Sequence, residues 1–355
     1  MKRGHFIGMD SHCPFCEIAV VNRSGRVVQR ARAATTINAL TEVLQAIPRP
    51  RFLTTEEGPL ANWLWRHLRP LVDAMVVSDP RHNRLIVNGG DKDDPIDAEK
   101  QAQLLRGGFL KPVHQTDSLE RAVFKQHVAL YHHRVRQRVR EAQRITSLFR
   151  QHGVMIRERA YVAQDDRPAL LERLPANQVL RAGMRALWRS YDGLVAQEER
   201  WRRQLVKLAQ KEEVVRRFYE LPGIRWIRAA TLYAYLETPW RFHSKSALWK
   251  YLGVGLERKR SGNGPEHLGV PKRTHRLLKT TILGAAKSAA AQGENPFADL
   301  YRRWIEQGLS PKLARRNVAR SLAATLWGLW KNGSAYHPEW VGVAAAALVV
   351  AKVSR

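Results

Sequence analysis

The sequence contains little cysteine and no apolar run long enough to cross a membrane. Only 2 of the 355 residues are cysteines. Cys13 and Cys16 form one close pair, but no second pair completes a zinc set, so buried reduced thiols are the expectation. The longest apolar run near the C-terminus, residues 341–351, is shorter than the about 20 residues that span a bilayer. We therefore expect no membrane partner.

Acidic residues are also few. The chain has 60 Lys and Arg against 32 Asp and Glu, which gives a formal net charge of +28. Because this excess is spread along the chain, the sequence predicts a surface that binds a polyanion. A hydrophobic fraction of 44% and 11 tryptophans argue against a disordered basic protein. The first residues, MKRGHFIGMD, match no signal peptide, so a cytoplasmic, nucleoid-associated protein is expected.

The first hundred residues alternate between strand and helix patterns. Three short β-rich runs come first, and helical and strand patterns then alternate. This β-β-β-α-β-α-β-α order is that of the ribonuclease H fold, an α/β fold with three antiparallel strands followed by parallel crossovers. The predicted strands are 5–10, 16–22, 27–34, 51–56 and 73–78, and the predicted helices are 37–47, 59–69 and one that starts near Pro95.

Beyond about residue 123 the pattern becomes helical. Apolar residues from 180 to 208 keep a 4-3 spacing that only Glu198 interrupts, which predicts a coiled coil. Two long helices imply an antiparallel hairpin or a dimer seam. The segment 124–150 holds seven Lys or Arg and one acid. Its outer face, with Arg134 and Arg138, either binds nucleic-acid backbone or is a solvated helix face.

A third region opens at the turn Leu221-Pro222-Gly223-Ile224 and is predicted to be all or nearly all helical. The turn is similar to that of helix-hairpin-helix proteins, although Arg225 replaces the usual second glycine. A basic, glycine-rich loop spans residues 258–264. The predicted helices are 226–236, 244–252, 273–292, 296–307 and 310–331. Tryptophans at helical positions are expected in the core: Trp226, Trp240, Trp249, Trp327 and Trp330.

Four acids could carry chemistry. Asp10 closes the first predicted strand and Glu56 the fourth, so a sheet in ribonuclease H order brings both strand ends together. Asp94 and Asp97 are three residues apart at the start of a helix and share one face. Such carboxylates are suited to bind Mg²⁺, as one ion or as a pair.

Each acid also has a structural interpretation. Asp94 before Pro95 is typical of a helix N-cap, and Asp97 would then be a first-turn acid that suits the helix dipole. Glu56 and its neighbour Glu57 point to opposite faces of a strand, so one of them has no role in a site. Asp10 ends an apolar strand, which places it in a buried position or a cleft.

The acids lie in motifs that resemble a known family. MDSH, EEG and KDDPIDAEKQAQLLRGGFLKPV look like the DEDD domain of transposases of the insertion-sequence-110 family, in which Lys92, Asp94, Asp97 and Ala98 match a Lys-x-Asp-x-x-Asp-Ala pattern. LPGIRWIRAATLYAYLETPWRFHSKSALWKYLGV, RSGNGP and HRLLKTTILGAAKSA resemble its C-terminal half. The resemblance covers most of residues 5–335.

The resemblance implies a RuvC-like domain, a coiled coil and a second domain with a nucleophilic serine that links covalently to DNA. By its place in Arg-Ser-Gly the serine is Ser261, with Ser244 and Ser246 as weaker candidates. Members of this architecture act on donor and target DNA under the direction of a structured bridge RNA. A homo-oligomer, dimer or tetramer, is also expected, since the serine could meet the carboxylates of another subunit.

The surroundings of Ser261 suit a phosphate. Three cations precede it, and Gly262 and Gly264 allow backbone N–H groups to approach a phosphoryl group. A serine hydroxyl needs a base or a metal to activate it, and no His-Asp pair is evident beside it. A serine in a flexible basic surface loop is the competing interpretation. The predicted nucleic-acid-binding residues are Arg134, Arg138, Arg225, Arg258, Lys259, Arg260, Lys272 and Arg273.

The sequence therefore predicts a transposase or recombinase in four parts. They are a DEDD domain at 1–112, a coiled-coil section at 113–218, a helical serine domain at 219–340 and an apolar tail at 341–355. Two alternatives remain open. One is a Mg²⁺-dependent nuclease of the junction-resolvase type with water as nucleophile, and the other is a nucleic-acid-binding protein without catalysis.

Overall fold

The structure, a computed structural model, describes residues 4–83, 94–156, 163–259, 267–269, 274–339 and 341. The chain divides into two compact units, Met1–Ala122 and Val123–Arg355. The finer boundaries predicted near residues 112, 218 and 340 stay predictions.

The first unit contains a five-stranded mixed sheet. Its strand order is β3-β2-β1-β4-β5, in which β1, β2 and β3 pair antiparallel and β1, β4 and β5 pair parallel. This is the ribonuclease-H-like α/β arrangement that the sequence predicts. The strands are β1 (His5–Ser11), β2 (Phe15–Val21), β3 (Val27–Ala34), β4 (Arg51–Glu56) and β5 (Ala74–Ser78), and the helices are α1 (Ile37–Gln45), α2 (Ala61–Leu68), α3 (Pro80–Asn83) and α4 (Asp94–Gly107).

Strand β1 separates two apolar layers because its side chains alternate between the faces of the sheet. Ile7 and Met9 are buried in a core that includes residues of α1 and α2. Phe6 lies on the other face, in a smaller cluster with Ala102 of α4. Gly8 is on that face too, and a Cβ there would lie 2.0 Å from the carbonyl oxygen of Ala98. Helix α4 therefore packs directly on the backbone of β1.

The second unit is mainly helical. A correction applies to the basic loop at 258–264, because Arg258 and Lys259 belong to a strand that pairs with a second short strand. The third region is thus not entirely helical. The helices are α5 (Leu119–Gln151), which begins four residues before this unit, α6 (Arg167–Glu172), α7 (Gln178–Lys211), α8 (Glu213–Tyr219), α9 (Trp226–Leu236), α10 (Lys245–Tyr251), α11 (Arg276–Ala291), α12 (Pro296–Glu306) and α13 (Pro311–Asn332), and the strands are β6 (Glu257–Lys259) and β7 (His267–Gly269).

Helices α5 and α7 form an antiparallel hairpin within the chain. The ring of His127 lies 4.6 Å from that of Trp201, and the ring of Phe149 lies 6.2 Å from that of Trp188. The start of α5 thus meets the end of α7. Glu198, which interrupts the heptad pattern, forms an ion pair with Arg138 across the hairpin.

The tryptophans test the predicted core of this unit. Trp327 is buried, and Trp226, Trp249 and Trp330 pack against the same apolar cluster. The prediction is wrong for Trp240, whose relative exposure is 71%. This residue lies in a 3₁₀ turn, Pro239–Arg241, rather than on the apolar face of a helix. Its ring contacts the Lys331 ammonium group, which lies 5.0 Å from the ring centroid.

The structure also bears on the two cysteines and on the expected lack of a membrane span. Cys16 is buried as expected, but Cys13 is exposed because it lies in the turn between β1 and β2. Among the helices of the described ranges, none has both the length and the apolar character that a membrane span requires.

Candidate active site

The carboxyl ends of two neighbouring parallel strands define the site. Strands β1 and β4 pair in register up to Met9 opposite Thr55. Asp10 and Glu56 are the next residue on each strand, and alternation places both on the face opposite Met9. Asp10 shares that face with Gly8, on which α4 packs.

Helix α4 supplies the second acid and a loop supplies a histidine. Nε2 of His12 lies 3.0 Å from Oδ2 of Asp10 and 3.5 Å from Oδ2 of Asp94. One ligand atom from each residue lies within 4.8 Å of the other two. We call these three residues the Asp10 cluster. His12 is absent from the predicted site residues, although an imidazole two positions after an acid at a strand end is a signal that could have revealed it.

The structure brings two of the four predicted acids into this cluster. Asp97 lies one turn further along α4, with an oxygen 3.7 Å from the Lys100 ammonium. Within the residues that the structure describes, Asp97 and Glu56 lie outside the group of three. The predicted roles of all four acids as metal ligands remain predictions.

Electrostatics distinguish Asp10 from an ordinary surface aspartate. Burial raises the pKa of Asp10 above its usual value, and the negative charges of Asp94 and Asp97 raise it further. The hydrogen bond and the charge of His12 act in the opposite direction. A divalent cation would relieve the repulsion among these acids. Carboxylate oxygens and an imidazole nitrogen are suitable donors for such an ion.

The residue beside Glu56 has a structural role. The backbone N–H of Glu57 donates to the carbonyl of Ser78, 2.9 Å away, which continues the β4–β5 ladder by one residue. Its carboxylate accepts a hydrogen bond from Nε2 of Gln115 at 2.7 Å. Glu57 therefore joins β4 to the segment after α4.

The weaker serine candidates are used structurally or lie at the surface. The Ser244 hydroxyl accepts a hydrogen bond from the backbone N–H of Ala247 at 3.2 Å and caps α10. Ser246 is exposed on the same helix. Ser261 lies outside the described residues, so its role stays a prediction.

The predicted nucleic-acid-binding cations have different environments. Arg138 is engaged in its ion pair with Glu198, and Arg134 donates to Oε1 of Gln137 at 2.8 Å. Arg225 is exposed. Arg258 and Lys259 lie in β6, while Arg260, Lys272 and Arg273 lie outside the described residues.

The Pro-Gly turn before α9 is tightly packed. Gly223 has a φ of +75°, and a Cβ there would lie 2.2 Å from the carbonyl oxygen of Ala285. Its N–H donates to Oε1 of Gln292 at 3.0 Å. The N–H of Gly223 is therefore used in a contact with Gln292, the residue that follows α11, and at Gly223 the turn has a packing role.

Comparison with known proteins connects these features to a class and a family. Acids at the ends of neighbouring strands can bind a divalent cation, and such cations assist the breakage of phosphodiester bonds. Residues 7–153 match a transposase family of the DEDD IS110 type. Residues 215–302 match the transposase IS116/IS110/IS902 family. The chain belongs to the IS110 family of transposases and is an enzyme that cuts and rejoins DNA.

Two curated proteins are similar to this chain. The transposase for insertion sequence element IS1111A of Coxiella burnetii (strain RSA 493 / Nine Mile phase I) is 21% identical over 350 residues, which cover 95% of this chain and 92% of that protein. The putative transposase y4pF/y4sB of Sinorhizobium fredii (strain NBRC 101917 / NGR234) is 28% identical over 176 residues, or 47% of this chain and 45% of that protein.

Proposed function

We propose that this transposase joins DNA strands through two groups of residues, with a structured RNA selecting the sites. One group is the carboxylates Asp10, Glu56, Asp94 and Asp97, which bind Mg²⁺. The other is Ser261, the nucleophile. The observation that carries the first half is the Asp10 cluster, whose three ligand atoms lie within 4.8 Å of one another.

The carboxylates would hold Mg²⁺, and the ion would supply the positive charge that orients the scissile phosphate and stabilises its leaving oxygen. Asp10 is held by β1, and Asp94 by a helix packed on the same strand, so two elements of one core determine the distance between the two acids. Such a rigid support suits a site whose ligands must keep a defined spacing.

The serine step is a transesterification. The Oγ of Ser261 forms a bond to phosphorus while one phosphorus–oxygen bond of the DNA backbone breaks. The serine proton leaves to a base or solvent, and the released DNA oxygen takes up a proton. The covalent phosphoserine keeps the bond energy, so a hydroxyl of another strand can reverse the step and join a new partner.

The partners follow from charge and from the reaction. A net charge of +28 suits a protein that binds donor DNA, target DNA and a guide RNA together. The reaction joins ends from two duplexes, which favours a homo-oligomer, either a dimer or a tetramer. We place the enzyme in the cytoplasm with the nucleoid, where its DNA substrates lie.

Replacement of Asp10 by Asn tests the metal site. We expect cleavage of the element's DNA, in the presence of guide RNA and Mg²⁺, to fall by about 10²-fold or more because a metal ligand is lost. DNA binding should be unchanged. Glu42→Gln, which neutralises an exposed acid on α1, is the matched control. Continued cleavage by Asp10→Asn would overturn the metal site.

Denaturing gels test the serine. The wild-type protein, incubated with DNA, guide RNA and Mg²⁺, should carry a covalent DNA adduct, and Ser261→Ala should not, whereas Ser246→Ala should retain it. An adduct on Ser261→Ala would show that another residue is the nucleophile. Cleavage without an adduct in every variant would favour the junction-resolvase alternative, with water as the nucleophile.

Co-purification tests the guide. The protein expressed with the DNA that flanks its coding region should retain a structured RNA after nuclease-free purification, and sequencing should map that RNA to the flank. Recovery of bulk cellular RNA alone would contradict guidance by a dedicated RNA.

A further inference from the structure

His12 is held in place beside Asp10 by its own backbone. Its N–H donates to the carbonyl oxygen of Phe15 at 3.0 Å, and its carbonyl oxygen accepts from Oγ1 of Thr35 at 2.7 Å. The imidazole packs at a tilt on the ring of Phe15, with the centroids 5.8 Å apart. Both the main chain and the ring therefore have contacts that direct Nε2 toward the acids.

One ring nitrogen faces two carboxylates. Nε2 lies 3.0 Å from Oδ2 of Asp10 and 3.5 Å from Oδ2 of Asp94. Neighbouring ligands of an octahedral ion with bonds of about 2.1 Å are about 3 Å apart. The 3.0 Å spacing between His12 and Asp10 equals that value, and the 3.5 Å spacing between His12 and Asp94 is somewhat longer, so a shift of a few tenths of an ångström would let the three atoms share one cation. The His12 side chain is also 44% exposed, so a phosphate can approach the same ion.

We propose that His12 is a ligand of the metal at Asp10 and Asp94, and that this mixed set binds Mn²⁺ more tightly than Mg²⁺. This inference rests on the proposed metal site. Mg²⁺ favours oxygen ligands and gives up its water reluctantly, whereas an imidazole nitrogen favours first-row transition ions. Asp10, Asp94 and His12 take three positions of an octahedral ion, which leaves positions for the other carboxylates, water or a phosphate oxygen.

Manganese binding to the full chain tests the proposal without DNA. Electron paramagnetic resonance counts free Mn²⁺, and pulsed measurements detect a nitrogen nucleus coupled to the bound ion. The wild-type protein should show that coupling. His12→Gln should remove it and weaken Mn²⁺ binding by about tenfold or more, with a smaller change for Mg²⁺ measured by competition. His67→Gln, at an exposed histidine of α2, is the matched control.

The outcomes separate this inference from the proposed function. If Asp10→Asn abolishes Mn²⁺ binding while His12→Gln retains both affinity and nitrogen coupling, the metal site stands and the role of His12 is wrong. In that case His12 acts only as an ion-pair partner of the acids. If neither the wild-type protein nor any variant binds Mn²⁺ or Mg²⁺ at this site, both proposals fail. Circular dichroism and urea unfolding of each variant establish that the fold is intact.

Discussion

The environment of Asp10 makes ionisation of its carboxyl group unfavourable. Burial and two neighbouring acids raise its pKa, although His12 offsets part of the effect. A carboxyl with a raised pKa binds its proton more tightly in the folded than in the unfolded chain. Its ionisation as the pH rises therefore lowers the free energy of unfolding.

Asp10→Asn should consequently stabilise the metal-free protein at neutral pH. We expect a gain of less than about 1 kcal/mol, since the group retains some solvent contact. Urea unfolding with a chelator measures it. With saturating Mn²⁺ or Mg²⁺ the wild-type protein should become the more stable of the two, because binding of the ion stabilises the wild-type fold and the variant lacks a ligand. If Asp10→Asn is less stable than the wild type both with chelator and with saturating metal, the charge of Asp10 does not destabilise the folded protein.

The burial of His132 should make the free energy of unfolding depend on pH, whether or not a metal is bound. Burial, together with the nearby charge of Arg136, lowers the pKa of His132 to about 4. Its Nε2 lies 2.8 Å from Oγ1 of Thr231. The unfolded chain binds the proton more readily, with a pKa of about 6.5. Stability is thus unaffected above that value and falls as the pH drops toward 4.

Between pH 7.5 and pH 5 we expect this residue to cost about 1 to 2 kcal/mol of unfolding free energy. His132→Gln, whose amide can still bond to Thr231, should remove that part of the pH dependence. Urea titrations at both pH values measure the difference. His133→Gln, at the exposed neighbour, is the control. An equal pH dependence in wild type and His132→Gln would contradict the assignment.

At the scale of elements, the contact between α4 and β1 decides whether the acids meet. Gly8 has no side chain, and α4 occupies the space where one would be. The same contact buries Ala98 and Ala102, so the small residues of α4 face the strand. Sequence spacing predicts α4 and the two acids in its first turn. The distance between α4 and the sheet, however, depends on Gly8.

Gly8→Ala should therefore displace α4 and separate Asp94 from Asp10. The added Cβ would lie 2.0 Å from a carbonyl oxygen and 2.5 Å from the N of Ala102, so we expect a loss of about 1 to 3 kcal/mol of stability. Metal affinity should fall as well. Gly58→Ala, which meets no atom within 4 Å, is the matched control. Unchanged metal binding in a folded Gly8→Ala would show that α4 does not set the ligand spacing.

The hairpin offers a second test at this scale. Glu198 and Arg138 form an ion pair at a position where the heptad pattern calls for an apolar residue. Removing one member leaves the other partly buried charge without its ion-pair partner, so Glu198→Leu and Arg138→Leu should each cost about 1 to 3 kcal/mol. The double variant should lose less than the sum of the two. Additive losses in urea unfolding would contradict a direct coupling.

At the scale of the whole molecule, the net charge of +28 determines how binding responds to salt. Each phosphate contact releases counterions, so affinity for duplex DNA should fall steeply as salt is raised. If about six phosphates are contacted, we expect a fall of about 10³-fold between 50 and 200 mM salt. Fluorescence anisotropy measures the slope, and Asp10→Asn serves as a control with the same slope. A flat response would contradict backbone contacts.

Local patterns were sufficient to predict most elements. Alternating apolar residues and capping signals depend on near neighbours, so the strands of the first unit and α9 to α13 are close to the predicted ranges. The exposed Trp240 and the short β6–β7 pair were missed. Their positions depend on contacts with distant parts of the chain, which periodicity does not report.

The sequence by itself determined the ribonuclease-H-like strand order, the two long helices and the transposase family, because these depend on residue order and motif spacing. Only the tertiary structure decided which groups meet at the site. It brings His12 together with Asp10 and Asp94, and within the described part of the chain the group of close ligand atoms consists of these three residues. The physical reason is that side-chain distances depend on how closely α4 packs on Gly8 and on the turn that holds His12.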